Sequence, residues 1–358
     1  MGPRLTRWMP GLGESRLALP SFRLPGLAIA GLLAAAAAGL LLGPVPVTPA
    51  GLWAVLADML GLAPLPAEYR RDAVVLGVIR GPRVVLGLLV GGGLAAAGTA
   101  MQGLFRNPLA DPGLIGVSAG AALAAVAAIV LAGKLVGEGA GLWLLPLAAF
   151  AGGLGATLAI ARLGRRDGAT AVGTLLLAGV AVNALCGALT GLLIFMADDR
   201  QVRDITFWMF GSLAGARWVQ VPVALLLVGL PVLGLLALAH PLNALVLGEA
   251  EAFHLGIRVE RVKQLAVALA AVAVSTGVAF TGLIGFVGLV VPHLVRLALG
   301  GSDHRLVLPI AASLGGALLV TADLAARSLA APAEVPIGIV TALLGAPFFL
   351  WMLRRYVA

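Results

Sequence analysis

Residues 84–105 of the 358-residue chain read VVLGLLVGGGLAAAGTAMQGLF and contain no Asp, Glu, Lys or Arg. An α-helix needs about 20 consecutive apolar residues to cross the hydrocarbon core of a bilayer. Other runs are comparably free of charge, and the longest of those beyond 260 contains glycines that predict a turn between two helices. Together the runs predict about ten membrane-spanning helices. They cover residues 24–57, 84–105, 112–133, 139–161, 168–197, 218–248, 264–295, 306–322 and 335–353.

The composition favours the same class of protein. Hydrophobic residues make up 61% and charged residues 11% of the chain, whereas soluble domains carry about 25% charged residues. A soluble globular enzyme is therefore excluded, and we predict an all-α membrane protein surrounded by lipid. The net charge of +8 would suggest a nucleic-acid partner for a soluble chain, but we predict none here, because basic residues orient membrane helices. Cys186 is the single cysteine, which excludes a disulfide framework and a cysteine-based metal site.

The distribution of Lys and Arg predicts the orientation of the chain. An even number of spans places both termini on the same side, and cytoplasmic loops carry an excess of basic residues. If both termini are cytoplasmic, most of the 24 Lys and Arg residues lie on the cytoplasmic side. We therefore predict cytoplasmic termini, with residues 1–23 as a cytoplasmic extension and residues 24–358 as the transmembrane domain.

A spaced pattern of small residues occurs twice. Gly93-Leu-Ala-Ala-Ala-Gly98 is followed by Pro108, and Gly277-Val-Ala-Phe-Thr-Gly282 is followed at the same distance by Pro292. The two copies lie on the second and seventh predicted spans, which cross the membrane in opposite directions, as in the inverted repeats of transporters. The halves of such a repeat would cover roughly 76–197 and 262–355. The alternative is that small residues recur because they let helices pack closely.

Several long motifs follow one another along the chain. They are Arg106-Asn-Pro-Leu-Ala-Asp-Pro112, Leu114-Ile-Gly-Val-Ser-Ala-Gly120, Phe207-Trp-Met-Phe-Gly-Ser-Leu213, Gly285-Phe-Val-Gly-Leu-Val-Val-Pro-His-Leu-Val-Arg296 and Val335-Pro-Ile-Gly-Ile-Val-Thr-Ala-Leu-Leu-Gly-Ala-Pro347. With them, the sequence resembles the membrane permeases of the FecCD family, the transmembrane subunits of ABC importers for iron-siderophores, haem and cobalamin. The resemblance implies a type II ABC importer permease fold, in which a ten-helix subunit forms a homodimer around a central pathway. It also implies two cytoplasmic ABC ATPase subunits, a periplasmic substrate-binding protein and a location in the bacterial inner membrane.

The chain itself contains no sequence signature of an ATPase. A phosphate-binding Gly-x-x-x-x-Gly-Lys-Ser/Thr loop is absent, because Gly133-Lys134 lacks the following hydroxyl residue. We therefore predict that the chain is not an enzyme and holds no metal or cofactor, and that ATP and Mg bind to the partner ATPase. The segment between the sixth and seventh spans resembles the family's coupling segment, a pair of short helices that docks on the ATPase. The alternative is an ordinary amphipathic connector. The predicted coupling residues are Leu247, Gly248, Glu249, Ala252, Phe253, Leu255 and Gly256.

Three arginines at the predicted outer ends of the spans run against the positive-inside bias. Arg80 and Arg83 begin the second span, and Arg327 ends the ninth. The resemblance implies that they pair with glutamates of the binding protein, and the guanidinium fork suits carboxylates. The alternatives are contacts with lipid headgroups or an internal pair, such as Arg327 with Asp323 one helical turn away.

Two further residues are candidates for the substrate pathway. Asn183 lies on the fifth span, which lines the pathway in the resembling family, although a hydrogen bond between helices would also explain it. Arg203 lies in an outer loop that resembles the haem-importing branch, where an arginine would attract haem propionates. We therefore predict haem transport by alternating access, with iron-siderophore and cobalamin as alternatives. A secondary transporter driven by an ion gradient is the alternative from another class.

The histidines are not predicted to act in transport. His293 could bind haem iron, but a structural role is favoured for it. His254 and His304 are expected in solvated cytoplasmic loops.

Overall fold

The computed structural model describes residues 23–135, 142–166 and 169–357, so the predicted extension 1–23 lies almost wholly outside the described residues. The described part is helical apart from its loops, a short 3-10 turn at Pro112–Ile115 and a hairpin of two-residue strands, β1 (Arg165–Arg166) and β2 (Ala169–Thr170). The helices are α1 (Leu24–Leu41), α2 (Pro49–Met59), α3 (Ala67–Phe105), α4 (Val117–Leu135), α5 (Leu144–Leu163), α6 (Val172–Phe195), α7 (Asp199–Phe210), α8 (Trp218–Ala237), α9 (Ala239–Leu247), α10 (Glu249–His254), α11 (Val259–Thr281), α12 (Val287–Leu299), α13 (His304–Leu329) and α14 (Ile337–Val357).

Within the described residues, seven helices are long and apolar enough to cross a membrane by themselves, namely α1, α3, α5, α6, α8, α11 and α13, and α4, α12 and α14 contain shorter apolar stretches. This bundle of apolar helices agrees with the predicted all-α fold class. The long run 24–57 forms one spanning helix and then α2, a surface helix that begins at Pro49, where the Thr48 hydroxyl accepts a hydrogen bond from the backbone N of Gly51 at 3.0 Å.

Three spanning helices form the centre of the bundle. More than half of the residues in the most apolar stretch of α3, α11 and α13 are buried, against 28% or fewer in α1, α5, α6 and α8. The outer helices therefore expose many of their leucines, as is expected where lipid or another subunit covers them. The protein has two ends along the direction of α13. We call the end near Leu329 the arginine end and the end near His304 the short-helix end.

Glycines bring the central helices into backbone contact. A side chain at Gly91 of α3 would collide with the carbonyl oxygen of Gly315 in α13, and one at Gly98 would collide with the carbonyl of Gly288 in α12. These glycines are needed because nothing larger than hydrogen fits between the helices at these points.

The packing partners of α3 and α11 correspond. Helix α3 packs against α12 and α13, and α11 packs against α4 and α5. If α3 and α11 are equivalent helices of a repeat, each is expected to pack against the two helices that follow the other, as is seen here. Gly91 meets Gly315 of α13, and Ser275, at the equivalent place in the repeat, meets Gly153 of α5. The boundaries of the two halves, 76–197 and 262–355, stay a prediction.

Two spanning helices contain π-helical turns. One covers Val75–Arg80 in α3 and the other covers Leu225–Gly229 in α8. A π turn holds one residue more than an α-helical turn and leaves the carbonyl pattern locally distorted. In α3 the carbonyl of Gly77 accepts a hydrogen bond from the indole Nε1 of Trp218. The distortion in α3 ends at Arg80 and lies three residues before Arg83 in the regular part of the helix.

Candidate functional site: the two ends and the pathway face

The arginine end contains a buried group of charged residues. This arginine cluster consists of Arg80, Arg83, Asp323, Arg327 and Glu334. Nε of Arg83 donates to both carboxylate oxygens of Asp323 at 2.8 and 2.9 Å. Nη1 and Nη2 donate to Oε1 and Oε2 of Glu334 at 3.0 and 2.8 Å. One guanidinium therefore joins two carboxylates from the end of α13 and from the loop after it, and such paired charge-assisted hydrogen bonds fix its orientation.

The other two arginines bind the end of α1. Arg80 donates from Nη1 to the carbonyls of Leu40 and Leu41 at 2.6 and 3.0 Å, and Arg327 donates to the carbonyl of Gly39. The last carbonyls of a helix lack partners within that helix, so basic side chains stabilise them. Arg327 also lies 3.6 Å from Asp323, measured from Nε to Oδ2.

Glu334 is the member of the cluster that reaches solvent. Its side chain is 38% exposed, whereas those of Arg83 and Asp323 are 7% and 3% exposed. The hydrogen bonds from Arg83 lower the pKa of Glu334 below its usual value, so this carboxylate stays charged at neutral pH. Glu334 thus covers the guanidinium of Arg83. The sequence analysis missed Glu334, and its one signal was a lone acidic residue in the loop before the last span.

This geometry places the three predicted docking arginines inside the protein. Arg80, Arg83 and Arg327 are 2%, 6% and 5% exposed. Of the alternatives open from the sequence, the internal pair between Arg327 and Asp323 is present. Docking of a partner at the three arginines stays a prediction.

At the opposite end, α9 and α10 form a pair of short helices with an apolar surface. We call residues 239–256 the short-helix pair. Gly248 joins the two helices with a φ of 142°, a left-handed conformation that favours glycine. Leu247, Phe253 and Leu255 are 56%, 71% and 62% exposed. Apolar side chains gathered in this way mark a surface that a partner covers.

The seven predicted coupling residues do not all face outward. Ala252 is fully buried and packs inside. Glu249 is partly exposed and pairs with the buried Nζ of Lys263 at 2.6 Å. Gly256 has a φ of 80° and lies at the turn that leads to α11. The predicted pair of short helices is therefore present, and its role in coupling stays a prediction.

The base of the short-helix pair is tied to the hairpin and to α11. The Nζ of Lys263 also donates to the carbonyl of Thr170 at 2.8 Å. Thr170 in turn donates from its backbone N and its hydroxyl to the carboxylate of Glu260, at 2.9 and 2.5 Å. These contacts join the loop after α5, the start of α11 and the short helix α10.

His304 was predicted to lie in a solvated loop, and this was wrong. The residue is 1% exposed, because it begins α13 between α9 and the end of α3. Its Nδ1 lies 2.8 Å from Oδ1 of Asn243, and its ring packs against the backbone of Gly103. His293 is also buried, and its ring meets that of Phe348 edge-on with the centroids 5.9 Å apart. This packing agrees with a structural role for His293.

The two pathway candidates lie on α6 and α7. The Nδ2 of Asn183 donates to the carbonyl of Gly113 at 3.2 Å, so the alternative of a contact between neighbouring segments is observed. Its Oδ1 is buried and has no hydrogen-bond partner among the described residues. A cavity of about 180 Å³ lies nearby and is lined by residues that include Asp111, Gly113 and Ser118. Asn183 therefore contacts the turn Pro112–Ile115, which also borders this cavity.

Arg203 is exposed on α7. This helix begins with a capping box, in which Asp198 accepts from the backbone N of Gln201 at 2.8 Å and Gln201 accepts from the backbone N of Asp198 at 3.1 Å. Ile205 is buried on the opposite side of α7. The guanidinium of Arg203 is therefore available for a ligand, and Asn183 and Arg203 belong to separate elements.

The protein is thus a bundle of apolar helices with an exposed apolar surface at its short-helix end. The sequence model of the FecCD transport family matches residues 31–355. The chain belongs to the FecCD transport family, and it is a permease of a FecCD-type ABC importer.

Individual relatives carry different substrate names. The chain is 50% identical over 279 residues to the hemin transport system permease protein HmuU of Yersinia pestis, covering 77% of this chain and 82% of the relative. It is 47% identical over 312 residues to the cobalamin import system permease protein BtuC of Halobacterium salinarum, covering 87% and 82%. It is 43% identical over 287 residues to the vitamin B12 import system permease protein BtuC of Salmonella typhimurium, covering 80% and 85%.

A solved structure has the same fold. A metal-chelate type ABC transporter in an inward-facing conformation superposes with a TM-score of 0.80 at 30% sequence identity, covering 93% of this chain and 99% of that one. The predicted family and fold class are confirmed by these comparisons. The names of the relatives leave haem, cobalamin and other metal chelates open as substrates.

Proposed function

We propose that the chain is the transmembrane subunit of an ATP-driven importer that moves haem from a periplasmic binding protein into the cytoplasm by alternating access. The observation that carries the proposal is the short-helix pair, which exposes Leu247, Phe253 and Leu255 at the end of the bundle opposite the arginine cluster. A transporter driven by a separate ATPase needs such a surface, because the force of ATP hydrolysis must enter through protein contacts. Two ABC ATPase subunits with their ATP and Mg would bind here, on the cytoplasmic side.

The proposed assembly contains two copies of the permease. Helix α6 exposes Leu177, Leu185 and Leu192 at 71%, 60% and 57%, and α14 exposes Leu343 and Leu350 at 70% and 64%. A homodimer that places the pathway between two copies would cover part of this surface, and lipid would cover the rest. In this proposal the protein lies in the bacterial inner membrane with both termini in the cytoplasm.

The arginine cluster is proposed to receive the periplasmic binding protein. Its buried guanidinium groups can meet an incoming carboxylate only if a present partner moves away. Glu334 is the partner that is partly exposed, whereas Asp323 is buried. Docking would therefore exchange the carboxylate of Glu334 on Arg83 for a carboxylate of the binding protein.

Haem is the proposed substrate because the exposed Arg203 offers a guanidinium to anionic propionates, and because the hemin permease is 50% identical to this chain. Cobalamin is the second candidate, since the archaeal cobalamin permease is 47% identical over a longer stretch. An iron-siderophore remains an alternative of the same family. Ion-gradient transport has less support, because the buried Asp323 is already paired with Arg83.

Uptake in liposomes tests the proposal. The permease is reconstituted with its ATPase and binding protein, and hemin, cobalamin and a ferric siderophore are offered separately with ATP inside. We expect ATP-dependent uptake of hemin above the other two. Uptake that persists without ATP and follows a proton or sodium gradient would overturn the ATP-driven mechanism, and preferential uptake of cobalamin would overturn the assignment of haem.

Variants of α7 sharpen the test of the substrate. Arg203→Ala should lower hemin uptake and leave cobalamin uptake unchanged, because only the propionates need the positive charge. Arg200→Ala is the matched control, since Arg200 is an exposed arginine of the same helix. Equal loss of hemin uptake in both variants would show that only the general charge of α7 matters.

A further inference from the structure

Asn243 connects the short-helix pair to the spanning helix α13. It lies in α9, and its Oδ1 accepts a hydrogen bond from the backbone N of His304 at 2.8 Å. The same oxygen lies 2.8 Å from Nδ1 of His304, which therefore acts as the donor. Its Nδ2 donates to Oδ1 of Asp303 at 2.7 Å. One carboxamide thus binds the backbone, the ring and the capping carboxylate at the first turn of α13.

The contact between Asn243 and the first turn of α13 is strengthened by its surroundings. Asp303 is the N-cap of α13 and also accepts from the backbone N and the guanidinium of Arg305, which lowers the pKa of the Asp303 carboxyl. His304 is buried, and Gly103 at the end of α3 packs directly against its ring. Because the half-buried carboxamide of Asn243 makes all of these hydrogen bonds in one arrangement, the contact holds α9 in a defined position on α13.

The other end of α13 is anchored equally well. The helix has 26 residues and is therefore about 39 Å long, enough to cross the bilayer. Gly315 in its middle is in backbone contact with Gly91 of α3. Near its far end, Asp323 binds Arg83 and lies beside Arg327. A single continuous helix therefore joins the short-helix pair to the arginine cluster.

We propose that Asn243 is a positioning residue that makes α13 follow the short-helix pair. When the ATPase displaces α9 and α10, the contacts of Asn243 carry the displacement to α13 and through it to the arginine cluster. The inference rests on the proposed function, because it requires an ATPase at the short-helix pair. In this arrangement the exposed apolar side chains of the short-helix pair would contact the ATPase, and Asn243 would connect the same pair to α13. Physical coupling of this kind requires an element that both sites move, and α13 is that element.

Asn243→Ala tests the contact in the reconstituted complex of permease, ATPase and binding protein. We expect the variant to bind the ATPase and to keep basal ATP hydrolysis. The stimulation of ATP hydrolysis by the binding protein and the substrate transported per ATP should each fall by about fivefold or more, the lower limit of typical allosteric coupling. A decrease of less than about fivefold in either quantity would overturn the proposal.

Asn107→Ala is the matched control, because Oδ1 of Asn107 accepts from the backbone N of Leu109 in its own turn, at 2.9 Å, and from no other residue that the structure describes. It should couple as the wild type does, and an equal loss in this variant would overturn the specific role of Asn243. If the wild-type complex shows no ATP-dependent uptake, the proposed function fails and this inference fails with it. Wild-type coupling together with a fully coupled Asn243→Ala variant overturns this inference alone.

A cysteine pair keeps the test decisive if the alanine variant fails to assemble. Asn243→Cys and His304→Cys are combined with Cys186→Ser, and the two new thiols are joined by a short bifunctional thiol reagent. The unlinked form should be poorly coupled and the linked form should regain coupling, because the covalent link replaces the lost hydrogen bonds in the same protein sample. An unlinked form that couples normally, or a linked form that remains uncoupled, would overturn the proposal.

Discussion

Replacing Asp323 by Asn tests whether the arginine cluster is held together by its buried carboxylate. The side chain of Asp323 is 3% exposed, and it faces Arg83 at 2.7 Å and Arg327 at 3.6 Å, whose side chains are 7% and 5% exposed. Asn has the same shape but no charge, so in the variant the positive charges of the two buried guanidinium groups are less well balanced. Removing one partner of a buried ion pair costs about 3–5 kcal/mol.

Glu334→Gln provides the internal comparison. This side chain contacts the same guanidinium, but it is 38% exposed. Water reaches the partly exposed carboxylate and compensates for part of the loss, so we expect a smaller cost than for Asp323→Asn, about 1 kcal/mol. The two substitutions therefore separate the effect of burial from the effect of contact with Arg83.

The free energy of unfolding can be measured in mixed detergent micelles by titration with a denaturing detergent. Asp199→Asn is the control, because Asp199 is an exposed carboxylate in the first turn of α7. We expect the order of destabilisation to be Asp323→Asn, then Glu334→Gln, then the control. Equal costs for Asp323→Asn and Glu334→Gln, or a cost below about 1 kcal/mol for the first, would refute the assignment of Asp323 as the buried counter-charge.

Three further predictions follow from the two ends and the core. Glu334→Gln should tighten binding of the binding protein severalfold, with a larger effect at low salt, and weaker binding would contradict the exchange of carboxylates on Arg83. The pKa of Glu334 is lowered in the folded protein, so its contribution to stability is present above about pH 4.3 and is lost as the pH falls through the lower pKa of the folded state. The same variant should therefore lose less stability than the wild type when the pH is lowered through this range. Phe253→Asp should reduce co-purification of the ATPase about tenfold or more, as loss of a buried Phe contact of about 1.5–3 kcal/mol predicts, whereas Leu60→Asp at an exposed leucine elsewhere should not, and equal effects would contradict a specific surface. Gly315→Ala should destabilise the protein by about 1–3 kcal/mol, because the new methyl group would collide with the backbone of α3, while Gly155→Ala, which meets nothing within 4 Å, should be neutral or stabilising in thermal unfolding.

The sequence predicted the features that depend on local composition. Charge-free runs predicted about ten spans because each span must be apolar along its own length, and the described part of the chain contains seven long and three shorter apolar helices. The pair of short helices was predicted from the resemblance to the FecCD family. Gly248 and Gly256, two of the predicted coupling residues, have positive φ angles that other residues rarely adopt.

Contacts between distant residues were not predictable in this way. Arg83 and Glu334 are 251 positions apart in the chain, and hydropathy contains no information about which loop will fold over which helix end. His304 was predicted to lie in a solvated loop, whereas Asp303 is the N-cap of α13 and His304 lies in the packed first turn of that helix. Long-range pairing, rather than local composition, decided the position of both residues.

The π turn at Val75–Arg80 bears on how members of this family tolerate changes of length. Each residue inserted into an α-helix rotates the part beyond it by about 100°. A π turn already contains one such extra residue. Deleting one residue within 75–80 would therefore convert it to an α-helical turn and would reposition only residues 67–74, the short stretch before the turn. The same deletion within 84–105 would rotate one part of the glycine-lined face away from α12 and α13. Length variation among relatives should therefore gather at the π turn and be absent from the regular part of α3.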